Sequence, residues 1–232
     1  MKYIIFGANS DIAYELSKIL VKNNFEIILA SSNIEKLKKK ELFLSSIANK
    51  PIKSYCVDIQ NDEQINNFFK LLNKDDYHLI ICSGYLEIPE SNNTKIMNIN
   101  YFGPKNLIEK FVKNFQENMR KITCITSVAS DRLDYKKKTY SLSKRNLSDF
   151  LNLKSKEFKK DQISIQNVKP GYVKTKMIKD INLPKILVIE PIIAAKKIFD
   201  NLHTNNENIY IPFYWKYILF LYNLLFRMKI LK

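Results

Sequence analysis

The chain is predicted to fold as a doubly wound α/β domain, a parallel sheet between two helical layers. Three observations predict it. Short apolar runs alternate with amphipathic segments from end to end, the pattern of successive βαβ units. The 232 residues include only four glycines, Gly7, Gly84, Gly103 and Gly171, and three of these stand at the exits of apolar runs, where a chain turns sharply or leaves its amides bare. A hydrophobic content of 46%, with 12% aromatic, is ample for the core of one domain of this length.

The elements follow in order. Lys2-Tyr3-Ile4-Ile5-Phe6 makes a first strand at 2–6 that runs into Gly7. Further strands are expected at 26–31, 52–57, 78–83, 121–126 and 163–168, with a short seventh near 208–211. Helices are expected between them at 11–22, 34–46, 63–72, 92–116, 139–158 and 191–202. The main domain spans 1–212, and 213–232 form an apolar, basic carboxyl-terminal tail. In an open parallel sheet, ligands bind beyond the carboxyl ends of the strands. Residues just after 6, 83 and 170 therefore become candidates for a site.

The formal charge is +15, from 38 Lys and Arg against 23 Asp and Glu. A basic surface attracts nucleic acid, anionic lipid or phosphorylated substrates. The lysines are spread over helix faces such as Glu35-Lys36-Leu37-Lys38-Lys39-Lys40, and no aromatic-basic stripe for stacked bases occurs in the first two hundred residues. A solvated surface is therefore expected and nucleic acid is not an expected partner. Cys56, Cys82 and Cys124 lack C-x-x-C spacing, and His78 and His203 lack ligand-like neighbours. No metal is expected, and the cysteines read as small core residues in a reducing cytoplasm. The first apolar run is too brief for a signal peptide.

Phe6-Gly7-Ala8-Asn9-Ser10-Asp11-Ile12-Ala13 joins the first strand to the first helix. Its amides and the helix amino end would face a pyrophosphate. An ordinary turn with Ser10 or Asp11 as N-cap fits the same residues.

Ser127 closes Lys121-Ile122-Thr123-Cys124-Ile125-Thr126-Ser127, and Tyr140 with Lys144 begins the next helix. A spacing of four puts phenol and ammonium on one helix face. A carbonyl that receives a hydride needs a proton on its oxygen, so a site requires an acid within hydrogen-bond reach. A tyrosine serves if a nearby ammonium favours its phenolate, and Ser127 would bond the same oxygen. Tyr14/Lys18, Tyr101/Lys105 and Tyr172/Lys176 share the spacing, but only Tyr140/Lys144 follows a strand ending in serine and precedes one ending in Pro170-Gly171.

Here the chain resembles the short-chain dehydrogenase/reductase family, with its Rossmann-like fold, over nearly its whole length. The residues that carry the resemblance are 7–13, Asp58, Asn98-Ile99-Asn100-Tyr101-Phe102-Gly103, Ser127, Tyr140 with Lys144, and Pro170-Gly171-Tyr172-Val173-Lys174-Thr175. The resemblance implies an NAD(P)-dependent carbonyl reductase with Ser127, Tyr140, Lys144 and Asn100 as the catalytic set. Asn100 would hold a relay water near Lys144, which also grips the nicotinamide ribose. Asp58 would contact the adenine, and Thr175 the nicotinamide or its phosphate. The remaining cofactor contacts would come from Gly7, Asn9, Ser10, Asp11, Ile12, Ser31, Ser32, Ser83, Gly84, Pro170, Gly171 and Val173. Two departures stand out: the three-glycine turn keeps only Gly7, and the segment after the fourth strand reads Cys82-Ser83-Gly84-Tyr85. The G-A-x-S-D-I-A form and the tail resemble the polyprenyl-phosphate-linked 2-keto-pentose reductases, which implies a keto-sugar or lipid-linked keto substrate in surface-polysaccharide synthesis. A 3-ketoacyl or small-ketone reductase, or a non-catalytic dinucleotide-sensing scaffold, are the alternatives. Family likeness also implies a homo-oligomer.

An acid ending the second strand would bind the adenosine ribose hydroxyls and repel a 2′-phosphate. Residues 29–33 contain none, and Ser31 and Ser32 can bond either form. The missing acid and nearby Lys36 favour NADP(H) over NAD(H), although no arginine marks that choice.

The tail carries no acid after Glu207, and its uncharged stretch 217–226 is too short to span a bilayer. One reading lays it in the inner face of the membrane, with Lys216, Arg227, Lys229 and Lys232 toward headgroups and Trp215, Leu219, Tyr222 and Phe226 toward the acyl boundary. The other packs it on its own domain or a partner subunit. The segment between Thr175 and Pro191, with Met177, Ile181, Leu183 and Leu187, is expected to cover the substrate.

Overall fold

A computed structural model describes residues 1–87, 89–115, 120–132, 137–158, 163–178, 181 and 184–227. The strands are β1 (Lys2–Phe6), β2 (Ile27–Ser31), β3 (Lys53–Cys56), β4 (Tyr77–Ile81), β5 (Arg120–Ile125), β6 (Ser164–Pro170), the two-residue β7 (Tyr172–Val173) and β8 (Val188–Ile189), and β9 (Asn208–Ile211). The helices are α1 (Asp11–Lys22), α2 (Ile34–Ser46), α3 (Asp62–Lys70), α4 (Asn93–Met97), α5 (Gly103–Asn114), α6 (Lys138–Phe158), α7 (Pro191–Asn201) and α8 (Trp215–Arg227).

Seven strands form one parallel sheet in the order β3-β2-β1-β4-β5-β6-β9, and β7 pairs with β8 apart from it. β1 and β2 are almost wholly apolar on both faces because helices cover both, whereas β4, β5 and β6 also bury His78, Thr123, Gln166 and Asn167. One layer is built on Ile4, Phe6, Leu79, Ile81, Phe111 and Leu151, the other on Tyr3, Ile5, Leu16, Leu29, Ile80 and Ala194. The chain order reverses between β1 and β4, which pair from Lys2 with Tyr77 to Phe6 with Ile81. That is the switch point at which such sheets open a crevice.

The predicted elements are present, with one difference. The helix expected over 92–116 is three pieces, α4, a π-helical turn at Asn98–Phe102, and α5. Pro104 supplies the reason: it has no amide hydrogen, and its ring crowds the carbonyl four residues back, at Asn100. Widening the turn relieves that clash. A Cβ on Gly103 would lie 2.8 Å from the Ile59 carbonyl, so this glycine serves helix-to-loop packing rather than a ligand.

Phe111 is fully buried and packs on Phe69 and Phe115. Phe111→Ala should cost about 3–5 kcal/mol, read as a lower denaturant midpoint with an unchanged slope.

Candidate active site

Two depressions meet above the carboxyl ends of the sheet. The larger, of about 700 Å³, runs over β1, β2 and β4 and is lined by Gly7, Asn9, Ser10, Asp11, Ile12, Ser31, Ser32, Asp58, Ser83, Gly84 and Thr175, among others. The smaller, of about 120 Å³, is lined by Ser127, Tyr140, Pro170, Gly171, Val173, Thr175 and the inner face of α8. Thr175 and Met177 belong to both.

The cleft begins at Gly7, whose φ of +74° is a left-handed conformation. A Cβ there would stand 2.6 Å from the Ser83 amide nitrogen, so the exits of β1 and β4 approach too closely for any side chain. Ser10 caps α1 by accepting from the Ala13 amide at 3.2 Å. The Asn9 amide donates to Ser31 Oγ at 2.9 Å and to the Asn33 carbonyl at 2.8 Å. Its Oδ1 is buried without a partner among the described residues. Asp58 is occupied locally, its carboxylate accepting from the Gln60 amide at 2.9 Å. Asp11 Oδ2 accepts from the Lys176 amide at 3.2 Å, tying the turn to the segment after β7.

The donor set fits a dinucleotide. The helix amino end at 10–12 offers amides and a favourable dipole to a diphosphate. Asn9 Oδ1 is an acceptor that a ribose hydroxyl would satisfy. A Cβ at Gly84 would lie 3.7 Å from Lys144 Nζ and 3.6 Å from Asn100 Oδ1, so only bare backbone separates this end of the cleft from the buried amine.

Ser127, Tyr140 and Lys144 converge. Ser127 follows β5, its oxygen accepting from the Ala129 amide at 3.1 Å, and it lines the smaller pocket together with Tyr140. Lys144 lies one turn along α6, is 3% exposed, and donates to the Ile125 carbonyl at 3.3 Å. Burial pushes its amine down to about 8, against a smaller opposing pull from Cys124 and Cys82. Burial raises the Tyr140 phenol above its usual value. Within the protein alone, Ser127 is the group that counters the desolvation of the phenol. Asn100 is buried beside them, but its side chain is committed to Tyr85, accepting from its amide at 2.9 Å and donating to its carbonyl at 2.7 Å. No relay water is needed to satisfy that amide.

Pro170, Gly171 and Val173 line the smaller pocket, not the cleft. A Cβ on Gly171 would fall 1.9 Å from Trp215 Nε1, so its bare backbone admits an indole. This agrees with the reading that packs the tail on its own domain, and differs from the one that turns Trp215 and Leu219 toward lipid. Trp215 and Leu219 are buried against Val128 and line the pocket, and Tyr222 lies under the Arg132 guanidinium, 5.4 Å from it. Leu183, Lys229 and Lys232 and the side chains of Phe226 and Arg227 lie outside the described residues. Met177 lines both depressions, and Leu187 packs on the Trp215 cluster.

Several site residues had no sequence signal. Glu90, far from α6 in sequence, accepts from the Thr139 and Tyr140 amides at 2.9 and 2.7 Å and so caps the helix that carries the phenol. Lys40, rather than Lys36, reaches the cofactor turn. Its amine donates to the Asn9 carbonyl at 2.8 Å, lies 3.4 and 3.5 Å from those of Ser10 and Ala8, and sits over the Tyr14 ring. It fastens from behind a turn that has lost two glycines. Asp131 takes Lys169 and Tyr210, each at 2.7 Å, and braces the 3₁₀ turn at Val128–Asp131 that follows Ser127.

The chain matches the short chain dehydrogenase family over residues 2–185. It is 23% identical over 196 residues to dehydrogenase/reductase SDR family member 7B of Rattus norvegicus, an alignment covering 75% of this chain and 58% of that protein. The matched region thus spans little over half the length of that relative. Among solved structures, a single-substitution variant of actinorhodin polyketide ketoreductase with NADPH superposes with a TM-score of 0.80 at 15% identity, covering 90% of this chain and 95% of that one. A short chain dehydrogenase from Burkholderia cenocepacia J2315 in complex with NADP gives 0.76 at 19% identity, covering 90% and 89%. At such identities the structures establish the fold. The chain belongs to the short chain dehydrogenase family, whose members are NAD(P)-dependent oxidoreductases acting on CH–OH groups.

Two outcomes follow from these geometries. Lys144 has a folded pKa of about 8 against about 10.5 when unfolded. The unfolded chain therefore binds more protons between those values, and this group's burden on stability lightens as pH rises through that window. Lys144→Met should raise stability at pH 7 by a few kcal/mol, at about 1.4 kcal/mol per pKa unit, with the gain shrinking toward pH 10 in denaturant titrations. Lys40→Met removes a charged donor worth about 1.5 kcal/mol or more. Thermal unfolding should show a melting temperature lower by a few degrees, and calorimetric titration weaker binding of both NADH and NADPH as the turn loosens.

Proposed function

We propose that the protein is an NADP(H)-dependent carbonyl reductase that acts on a keto-sugar or lipid-linked keto-sugar in surface-polysaccharide synthesis. The observation that carries the catalytic part is the convergence of Ser127 and Tyr140 on one pocket, with Lys144 one turn along α6 and beside Gly84. When bound, the nicotinamide supplies or accepts the hydride at the substrate carbon. Gly7, Ser10, Ile12, Ser31, Ser32, Ser83 and Thr175 would hold the dinucleotide along the cleft, and Lys144 would meet its nicotinamide ribose.

Burial keeps the Tyr140 phenol protonated at neutral pH, which is the form that donates to a carbonyl oxygen as the carbon is reduced. Ser127 then bonds the tyrosyl oxygen left behind and the substrate oxygen. Lys144, itself buried, places a positive charge behind the phenol, where it stabilises the developing phenolate.

The smaller pocket supports the substrate reading. Leu86, Met177, Ile178, Trp215 and Leu219 give it apolar walls, while Arg132 and Lys137 bring cations to its lining. A carbonyl compound joining an anionic group to an apolar one suits that mixture. The small volume also suits the second reading, a 3-ketoacyl or small-ketone reductase. A non-catalytic sensor has no use for a desolvated lysine one turn from a tyrosine that lines the pocket. For the cofactor, the end of β2 carries no carboxylate to repel a 2′-phosphate, and the Burkholderia cenocepacia structure was solved with NADP.

A homo-oligomer belongs to the same reading, with exposed Leu142 and Leu153 on α6 available to a second copy. So does peripheral contact with the inner face of the membrane through 213–232. No helix among the described residues is long and apolar enough to cross a bilayer.

Tyr140→Phe should fold normally, keep its affinity for NADPH and lose roughly 10²- to 10⁴-fold in turnover. The assay is oxidation of NADPH against keto-sugars, keto-sugar lipids and ketoacyl thioesters. Retained turnover would assign the proton to another group.

A further inference from the structure

Helix α8 has two apolar faces. Its inner face, Trp215 and Leu219, closes the smaller pocket. Its outer face carries Tyr217, Phe220, Leu221 and Leu224, continued just before the helix by Phe213. These positions are spaced i, i+4, i+7, i+8 and i+11, one stripe along the helix. Phe213 is 74% exposed, Phe220 70% and Tyr217 65%. The neighbouring turn, Lys185–Leu187, anchors Leu187 in the Trp215 cluster and leaves Ile186 exposed. So many large apolar groups in one exposed row mark a docking surface.

Charge decides what covers it. Lys216 lies on the exposed side of α8 and lines a shallow surface depression with Phe213, Ile193 and Lys197. No acid occurs in the sequence beyond Glu207, and the whole chain carries +15. A second copy would bring the same lysines and the same excess charge into the contact. An anionic lipid surface neutralises them and accepts aromatic and aliphatic side chains at its acyl boundary.

We propose that the outer stripe of α8 docks on an anionic lipid surface while its inner face stays in place as a wall of the substrate pocket. One helix is then both lipid contact and pocket wall, and it presents the pocket to substrates held in that surface. This deepens the peripheral-membrane reading above and reverses the face that the lipid reading of the sequence assigns: Trp215 looks inward and Phe220 outward.

The sole tryptophan makes the orientation measurable. Full-length protein is mixed with vesicles of phosphatidylcholine alone or with phosphatidylglycerol, then sedimented, and its emission is followed with acyl-brominated lipids. Wild type should pellet with anionic vesicles and not with neutral ones. F220E/L224E should lose at least tenfold in vesicle affinity while binding NADPH as wild type does. Trp215 emission should resist bromine quenching in bound wild type, whereas the tryptophan introduced by F220W should be quenched. Overturning results are no anionic pelleting, equal pelleting of F220E/L224E, Trp215 quenched as strongly as the introduced residue, or a wild-type oligomer that F220E/L224E dissociates without any vesicle binding. Failure of wild type to bind NADPH would instead defeat the reductase reading and leave the lipid results to stand alone.

Discussion

Desolvation of α6 is the constraint on which the site depends. Lys144 and Tyr140 are held one helical turn apart in surroundings that penalise a charged lysine and an ionised tyrosine alike. The fold sustains this by placing a polar group beside each, the Ile125 carbonyl at the amine and the Ser127 hydroxyl at the phenol. In such a place a modest change in partner or charge moves a proton, which is the property a hydride-coupled reaction needs. Glu90 fixes where α6 begins, and Asp131 braces the turn after Ser127, so the geometry rests on contacts from four separate stretches of chain.

The sheet supplies the other half of the arrangement. β1 and β4 exit side by side, and Gly7 lets their ends come together without a side chain between them. The cleft opens where the strand order reverses, and its floor reaches Gly84 with Lys144 directly behind. A parallel sheet aligned in this way brings a phosphate-binding turn and a proton donor to one edge although about 130 residues separate them in sequence.

Much of this is legible in the sequence because the informative signals are local. Strand runs, glycine exits and the i, i+4 spacing of Tyr140 and Lys144 each depend on a few consecutive residues. What escapes are partners brought in by the fold. Lys40 looks like one of several surface lysines on α2, yet its half-buried amine bonds the turn before α1. Glu90 sits in a segment with no periodicity to read. The tail reads equally well as lipid-facing or as packed on its own domain, because nothing in 213–227 announces that Gly171, some forty residues earlier, leaves a slot for Trp215. The π-helical turn is equally hidden, since Pro104 in a helical pattern can end, bend or widen a helix.

The central claim is that the cleft above Gly7 and the pocket beside Tyr140 form one site around a nicotinamide. Energy transfer from Trp215, the only tryptophan and a wall of that pocket, to reduced nicotinamide tests it most directly. The account predicts saturable quenching of Trp215 emission by NADPH with matching sensitised cofactor emission, both reversed by excess ADP-ribose 2′-phosphate. Saturable NADPH binding with Trp215 emission unaltered would contradict it.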